Sequence, residues 1–183
     1  RKVGLYQVLV GIDGGTDEEI AEARKGPMKV GVKELKELIQ FLRKNDISTI
    51  STYLNGFWED DEAKVRQRAK AVDEIDPDIV MIQVLNPIPG SPIYKAAVKN
   101  NIIEVDNLSL YDLEHSVMPT KHLTRQQLGE LTGWAFQSFY SKPGRIERIL
   151  NGYTSPYVRM KFESFKSNAA KYEKNAAQGE AAI

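Results

Sequence analysis

The sequence alternates short apolar runs with amphipathic segments, and this alternation limits the folds that it can adopt. The apolar runs are rich in Val, Ile and Leu, and they cover residues 5–12, 47–54 and 79–85. Such runs are typical of parallel strands buried on both faces, and a helical pattern after each run predicts β-α-β units. We therefore predict an α/β fold in which parallel strands alternate with helices. In such folds, ligands bind at the C-terminal ends of the strands.

Capping residues mark where several helices begin. Thr16 with Glu19, and Thr124 with Gln127, have the spacing of capping boxes. Ser91-Pro92 matches an N-cap followed by a first helical residue. These signals predict one helix directly after the first strand and two more in the second half of the chain. Beyond residue 157 the sequence is polar, which predicts a peripheral helix or tail.

Composition excludes several functional classes. Lys and Arg together number 25, as do Asp and Glu, so no basic field indicates binding to nucleic acid. No apolar run reaches the roughly 20 residues of a membrane span, and the N-terminus lacks a signal-peptide pattern. The chain has no cysteine, so it cannot itself ligate an iron–sulfur cluster or a thiolate zinc site. We expect a cytoplasmic protein with a small-molecule substrate.

The sequence VLVGIDGGTDEEI at residues 8–20 has more than one interpretation. It resembles the first nucleotide loop of the actin, sugar-kinase and Hsp70 class of ATPases, but a helix former follows Thr16 where that loop needs a second hairpin strand. A plain strand-to-helix turn explains Gly14 and Gly15, which permit unusual backbone angles, and Thr16, which caps. It leaves unexplained the carboxylate of Asp13 at the end of a strand.

Other polar residues have simpler interpretations. His115 and His122 lie in a loop-like region without a cluster of metal ligands at suitable spacing, so we predict no metal site. The acidic pair Asp60-Asp61 is typical of a solvated helix start. No catalytic residue is predicted within this chain.

Three motifs in order resemble the second half of a radical S-adenosylmethionine (SAM) enzyme core. Residues 11–15 match the end of that family's fourth barrel strand, with Asp13 in place of Glu. Residues 52–59 match its fifth-strand motif at Leu54, Gly56 and Glu59, although Thr52 replaces a glycine. Asn-Pro-Ile-Pro-Gly-Ser-Pro-Ile-Tyr, residues 86–94, matches the end of the sixth strand throughout. The region after residue 110 is similar to the cobalamin-binding branch, which includes anaerobic magnesium-protoporphyrin IX monomethyl ester oxidative cyclases.

This resemblance implies a fold and a set of cofactor contacts. The fold is the second half of a partial (βα)6 TIM-like barrel plus C-terminal helices. Strands four to six would lie within residues 1–100, a helical extension within 101–155, and a peripheral helix or tail within 156–183. The Asp13 carboxylate would contact the SAM ribose, and Glu59 would order its loop. The implied SAM-contacting residues are Asp13, Gly14, Leu54, Gly56, Glu59, Leu85, Asn86 and Pro87.

The family's Cys-x-x-x-Cys-x-x-Cys motif is absent from this chain. In the family, those cysteines hold a [4Fe–4S] cluster that cleaves SAM to a 5′-deoxyadenosyl radical. The chain starts at Arg1, without Met, and enters a strand almost at once. We therefore interpret it as an inactive fragment of a radical SAM enzyme, with only part of the SAM site, whose partner is the missing N-terminal half. The cluster, and any cobalamin, would belong to that parent.

Two further hypotheses remain open. One is a cluster-free binding module, and the other is a fragment of an ordinary phosphate-binding (βα)8 barrel. For the fragment, we also expect the first strand to present an open edge. That edge would be covered by the tail or by another chain, for example in a dimer.

Overall fold

The computed structural model describes residues 4–24 and 30–157, with residues 160 and 163, except for the side chains of residues 21–24. The predicted tail at 156–183 therefore lies almost entirely outside the described residues. The α/β prediction is confirmed, since parallel strands alternate with helices. The elements are β1 Gln7–Gly11, α1 Asp17–Arg24, α2 Val32–Lys44, β2 Ser48–Asn55, α3 Glu62–Ile75, β3 Ile79–Val84, α4 Pro92–Lys99, a 3-10 turn Leu108–Leu110, α5 Arg125–Tyr140 and α6 Arg145–Asn151.

The three strands form one parallel sheet in the order β1-β2-β3. Val10 pairs with Ser51, which pairs in turn with Val80. Residues in register point to the same face of a sheet, and neighbours along a strand point to opposite faces. The sheet therefore has two distinct faces, and the side chains of Val10, Ser51 and Val80 share one of them.

One face of the sheet carries the main core. Val10, Ile12, Tyr53 and Val80 are at most 8% exposed, and they pack with α2, α3 and α5. The helices contribute apolar side chains at helical spacing, as the sequence predicts. They are Leu35, Ile39, Leu42, Val72, Ile75 and Phe139. We call this side of the sheet the helix face.

The opposite face of the sheet, which we call the open face, is much more accessible. Leu9 is 63% exposed and Met81 is 45% exposed, although both lie within strands. Ile50, Thr52 and Leu54 on the central strand are half-buried. Strands of a parallel sheet are ordinarily covered on both faces. The open face is therefore the surface on which the described part of the chain lacks its second layer.

The predicted helix starts are confirmed. The Thr16 hydroxyl accepts a hydrogen bond from the Glu19 amide at 3.1 Å, and Ser91 caps α4 with Pro92 in its first turn. Thr124 and Gln127 form the full reciprocal capping box of α5. In the predicted Thr16–Glu19 box, however, the Glu19 carboxylate accepts a hydrogen bond at 2.7 Å from the amide of Gly15, the residue before the cap.

A polar network joins the helices at the N-terminal end of the strands. Asp78 is fully buried, and its carboxylate accepts from the Thr49 amide and hydroxyl and from Arg43. Asp76 pairs with Arg43, Arg145 and Arg148. Burial by itself raises the pKa of Asp76, but the hydrogen bonds and charges of these arginines outweigh it and hold the pKa below its usual value. Arg145 also donates to the Phe139 carbonyl of α5, so the network ties α2, α3, α5 and α6 together on the side away from the predicted site.

Helices within the described residues are all too short or too polar to cross a membrane.

Candidate functional site at the C-terminal ends of the strands

The three loops that follow the strands begin side by side. The Ile12 amide donates to the Thr52 carbonyl, and the Leu85 amide donates to the Asn55 carbonyl, both at 2.8 Å. The pairing of the strands thus continues one residue beyond β1 and β3. The loops starting at residues 12, 56 and 85 are therefore brought to one edge of the sheet, as the parallel arrangement requires.

Asp13 lies at the end of β1 and is exposed, directly after the fully buried Ile12. Its Oδ2 atom is 3.0 Å from the place where a β-carbon on Gly11 would lie. Because Gly11 pairs with Thr52, that position belongs to the open face. The carboxylate therefore lies over the last residue of β1, on the accessible side of the sheet, where it can accept hydrogen bonds from a ligand.

Gly14 and Gly15 are buried and permit a tight turn. A β-carbon on Gly14 would lie 2.5 Å from the Cβ of Glu19, and one on Gly15 would lie 2.8 Å from the Arg68 amide nitrogen. Neither contact is possible for a real side chain. The two glycines allow the turn to pack against α1 and α3. The Gly15 amide donates a hydrogen bond to the Glu19 carboxylate.

Leu54 and Leu85 follow the alternation of β2 and β3 onto the open face. Leu54 pairs with Gln83 on that face, and both leucines are half-buried. Together with Asp13, they place a carboxylate and two aliphatic side chains on the same face at the ends of three adjacent strands. This combination suits a ligand with a hydroxyl-bearing part and a flat apolar part.

Gly56 begins the loop after β2 with a φ of 99°, a backbone conformation that favours glycine. A β-carbon there would also lie 3.0 Å from a methyl group of Leu128 on α5.

The Gly56 and Phe57 amides donate to the carboxylate of Asp60, at 2.9 and 3.1 Å. Asp60 is 1% exposed, so its interpretation as a solvated helix start is wrong. Asp61 does cap α3, through the Lys64 amide.

Glu59 is exposed and bonds to the loop before α5. Its carboxylate accepts from the Lys121 ammonium at 3.0 Å and lies 3.8 Å from His122. The hydrogen bond from Lys121 lowers the pKa of Glu59 below its usual value. Hydrogen bonds from the loop backbone go to Asp60 instead, so Asp60 orders this loop.

Asn86 connects the loop after β3 to a later segment. Its side-chain amide donates to the His115 carbonyl at 2.9 Å, and its oxygen accepts from the Leu113 amide at 2.6 Å. Asn86 and Pro87 are both buried. The Asn86 side chain is therefore engaged within the protein, so any ligand contact here involves the backbone.

The structure reveals one residue that the sequence interpretation missed. Arg68 is 5% exposed, and its two terminal nitrogens donate to the Asp60 carboxylate at 2.5 and 2.7 Å. Burial by itself lowers the pKa of Arg68, but the hydrogen bond and charge of Asp60 outweigh it and raise the pKa above its usual value. A signal was present, because Arg68 lies on the apolar stripe of α3 with Val65 and Val72. A charge on such a stripe needs a buried partner.

Each histidine lies beside a carboxylate. His115 contacts the Asp112 carboxylate at 2.7 Å within a local turn, and His122 lies near Glu59. Across the described residues, no group of three or more His, Cys, Asp or Glu side chains has metal-binding geometry.

The fold and the site define an α/β protein with a one-sided parallel sheet and a candidate ligand site at the ends of its strands. No protein-family model matches the chain. The sequence is similar to an uncharacterized methyltransferase of Pyrococcus horikoshii, with 24% identity over 78% of this chain and 30% of the relative.

The chain is also similar to two proteins named anaerobic magnesium-protoporphyrin IX monomethyl ester cyclase. The protein from Synechocystis is 24% identical over 67% of this chain and 24% of its own length. The protein from Cereibacter sphaeroides is 25% identical over 78% of this chain and 22% of its own length. The chain thus spans less than a third of the length of each of these relatives.

Proposed function

We propose that this chain supplies the second half of a partial (βα)6 barrel in a radical SAM enzyme. In this proposal Asp13 accepts hydrogen bonds from the ribose hydroxyls of SAM. Leu54 and Leu85 contact the adenine. Backbone groups at the edge of the SAM site come from Gly14, Gly56, Asn86 and Pro87. Glu59 lies at the rim of the site. The observation that carries the proposal is the Asp13 carboxylate over Gly11, on the open face of the sheet.

The one-sided sheet supports this architecture. In a barrel, the helices lie outside the strands, and the inner face is covered only when the barrel closes. The helix face here carries the main core, whereas Leu9 and Met81 on the open face are 63% and 45% exposed. An inner barrel surface without its opposite wall has these properties.

The comparisons support the assignment to the radical SAM class. Two relatives are named as anaerobic cyclases and a third as a methyltransferase. The motifs at residues 11–15, 52–59 and 86–94 resemble the same class independently of those names. We propose an enzyme related to the anaerobic magnesium-protoporphyrin IX monomethyl ester cyclases as the parent, which would also bind any cobalamin.

The residues of this chain suit one cofactor of that class and not another. Ribose has two adjacent hydroxyl groups, and an exposed carboxylate beside a glycine gives them an acceptor with space around it. A [4Fe–4S] cluster needs thiolate ligands, and this chain contains no cysteine. The chain's own contribution is therefore to bind and orient SAM, and any cluster must be held by other residues.

The phosphate-binding alternative has less support. A phosphate loop needs free backbone amides, but the Gly15 amide donates to Glu19. The turn is also surrounded by the acidic residues Asp13, Asp17 and Glu18. Both features oppose an anion at Gly14-Gly15.

An NMR titration of the isolated chain with SAM tests the proposal. We expect weak binding, since half of the site would be missing. Chemical-shift changes should be confined to the amides of residues 11–15, 54–57 and 85–87. Asp13→Ala should abolish these shifts, while Glu37→Ala, which removes an exposed carboxylate on α2, should leave them unchanged.

Other outcomes of the titration separate the alternatives. Tight SAM binding by the chain alone would favour a cluster-free binding module. Shifts at Gly14 and Gly15 with inorganic phosphate would favour the phosphate-binding barrel. SAM-dependent shifts that survive Asp13→Ala would contradict the ribose contact.

The proposed partner is an N-terminal barrel half that covers the open face and the edge of β1. Among the described residues no further strand pairs outside β1, so this edge also suits a second copy of the chain. Sedimentation of the chain at several concentrations tests for a dimer.

A parent gene without a Cys-x-x-x-Cys-x-x-Cys motif ahead of this segment would overturn the radical SAM assignment.

A further inference from the structure

Arg68 occupies a central position between two of the site loops. It lies on the inner stripe of α3, and it is buried although it carries a permanent charge. Burying a guanidinium is costly unless its charge is paired with a carboxylate. The partners of Arg68 are Asp60, in the loop after β2, and Glu19, in the first turn of α1, so neither lies on α3 itself.

The contact with the β2 loop is direct. Both terminal nitrogens of Arg68 donate to the carboxylate of Asp60, at 2.5 and 2.7 Å. The same carboxylate accepts the amides of Gly56 and Phe57. The guanidinium also lies 5.2 Å from the centre of the Phe57 ring. The conformation of this loop therefore depends on a carboxylate whose own position is fixed by Arg68.

The contact with the β1 loop passes through Glu19. One terminal nitrogen of Arg68 is 3.6 Å from one Glu19 oxygen, and the other Glu19 oxygen accepts the Gly15 amide at 2.7 Å. Gly15 also packs on the backbone of Arg68, since a β-carbon there would lie 2.8 Å from the Arg68 nitrogen. Gly15 is two residues from Asp13, so Arg68 also contacts the turn that carries Asp13.

We propose that Arg68 is a positioning residue that couples the loop carrying Asp13 to the loop carrying Gly56. One guanidinium pairs with two carboxylates, of which Asp60 accepts the Gly56 and Phe57 amides of one loop and Glu19 accepts the Gly15 amide of the other. Displacing either loop weakens the pairing of Arg68 with both. The relevance of this coupling to SAM binding rests on the proposed function. In that function, the coupling fixes the position of the ribose contact relative to the adenine contacts. The coupling itself is measurable without a ligand.

Amide hydrogen exchange of the unliganded chain at Gly15, Gly56 and Phe57 tests the coupling. Glu19→Ala removes the acceptor of the Gly15 amide, so exchange at Gly15 accelerates for a local reason. If Arg68 couples the loops, exchange at Gly56 and Phe57 also accelerates, by about two- to thirtyfold. Asp60→Asn should produce the reciprocal cross-effect, so that amide exchange at Gly15 accelerates.

Arg68→Met should eliminate these cross-effects. In that background, Glu19→Ala no longer changes exchange at Gly56, and Asp60→Asn no longer changes exchange at Gly15. Arg66→Met is the matched control, since Arg66 lies on the same helix but is exposed and pairs with Glu62. It should leave all three amides unchanged.

The results distinguish this inference from the proposed function. Single substitutions that affect only their own loop, or cross-effects that persist without Arg68, overturn the coupling. If Arg68→Met does not fold, the two carboxylate variants on the native background still decide by their cross-effects. Cross-effects combined with an absence of SAM-induced shifts at Asp13 confirm the coupling and contradict only the proposed function.

Discussion

The hydroxyl of Tyr140 completes the backbone hydrogen bonding of Val80. It accepts from the Val80 amide at 3.0 Å and donates to the Val80 carbonyl at 2.9 Å. Val80 lies on β3, the edge strand opposite β1, and Tyr140 is the last residue of α5. The side chain thus takes the place that a neighbouring strand has in a larger sheet, and it blocks this edge.

Tyr140→Phe should therefore destabilise the protein by about 1–3 kcal/mol, because it leaves a partly buried amide and carbonyl without a partner. Urea unfolding measures the change in the free energy of unfolding. Tyr94→Phe, at a half-exposed position on α4, is the control and should change it by less than about 0.5 kcal/mol. Equal effects of the two substitutions would contradict the edge-blocking role.

The strands and helices could be predicted from local signals. The apolar runs at 5–12, 47–54 and 79–85 each overlap an observed strand, because parallel strands need uninterrupted apolar sequence. Thr124, Ser91 and Thr16 marked helix starts because capping depends on residues only a few positions apart.

The polar pairs that hold the loops could not be predicted in the same way. Asp60 looks like its neighbour Asp61 in the sequence, yet one is buried and the other caps α3. The difference arises from Arg68, eight residues away on the buried side of the helix. Such a pairing depends on which residues tertiary packing excludes from water, and adjacent carboxylates do not show this in sequence.

A second prediction concerns Asp78 at the opposite end of the sheet. Asp78→Ala leaves the Thr49 amide unpaired and removes a buried carboxylate from Arg43 and Arg148. We expect a loss of about 3 kcal/mol or more in the free energy of unfolding. Glu74→Ala, in an exposed pair with Lys36, should cost less than about 1 kcal/mol. A similar small cost for both would show that the buried network does not stabilise the fold.

The third prediction concerns the pH dependence of the turn at Asp112. Hydrogen bonds from the His115 and Glu114 amides lower the pKa of Asp112 to about 2. Because the folded-state pKa is depressed, this stabilisation is fully present above the ordinary value of 3.8 and is lost as the pH falls through about 2. The amide resonances of Glu114 and His115 should therefore titrate near pH 2. Asp112→Asn should remove this titration, and a midpoint near 4 would show that the turn does not bind the carboxylate.

The fourth prediction separates backbone strain from packing at Gly56. Gly56 and Gly90 have similar positive φ angles, of 99° and 90°. A β-carbon at Gly90 meets no atom within 4 Å, whereas one at Gly56 lies 3.0 Å from Leu128. Both alanine substitutions should cost stability through strain, but Gly56→Ala should cost about 1–3 kcal/mol more. Thermal unfolding measures both, and equal costs would mean that α5 yields to the new methyl group.

The fifth prediction tests whether the sheet is packed on one face only. Leu9 and Val10 are consecutive residues of β1, but Leu9 is 63% exposed on the open face and Val10 is 8% exposed on the helix face. Val10→Ala removes buried apolar surface and leaves a cavity, so it should cost about 1–3 kcal/mol in the free energy of unfolding. Leu9→Ala removes a larger side chain but should cost less than about 0.5 kcal/mol, since little of it is buried.

The same pair of substitutions distinguishes two arrangements of the chain in solution. If another copy covers the open face, Leu9 becomes buried in the assembly, and the cost of Leu9→Ala then rises with the logarithm of protein concentration. Unfolding measured at two concentrations a hundredfold apart separates these cases. A concentration-independent cost for Leu9→Ala as large as that for Val10→Ala would contradict the one-sided sheet. It would also remove the support that this sheet gives to an open barrel half.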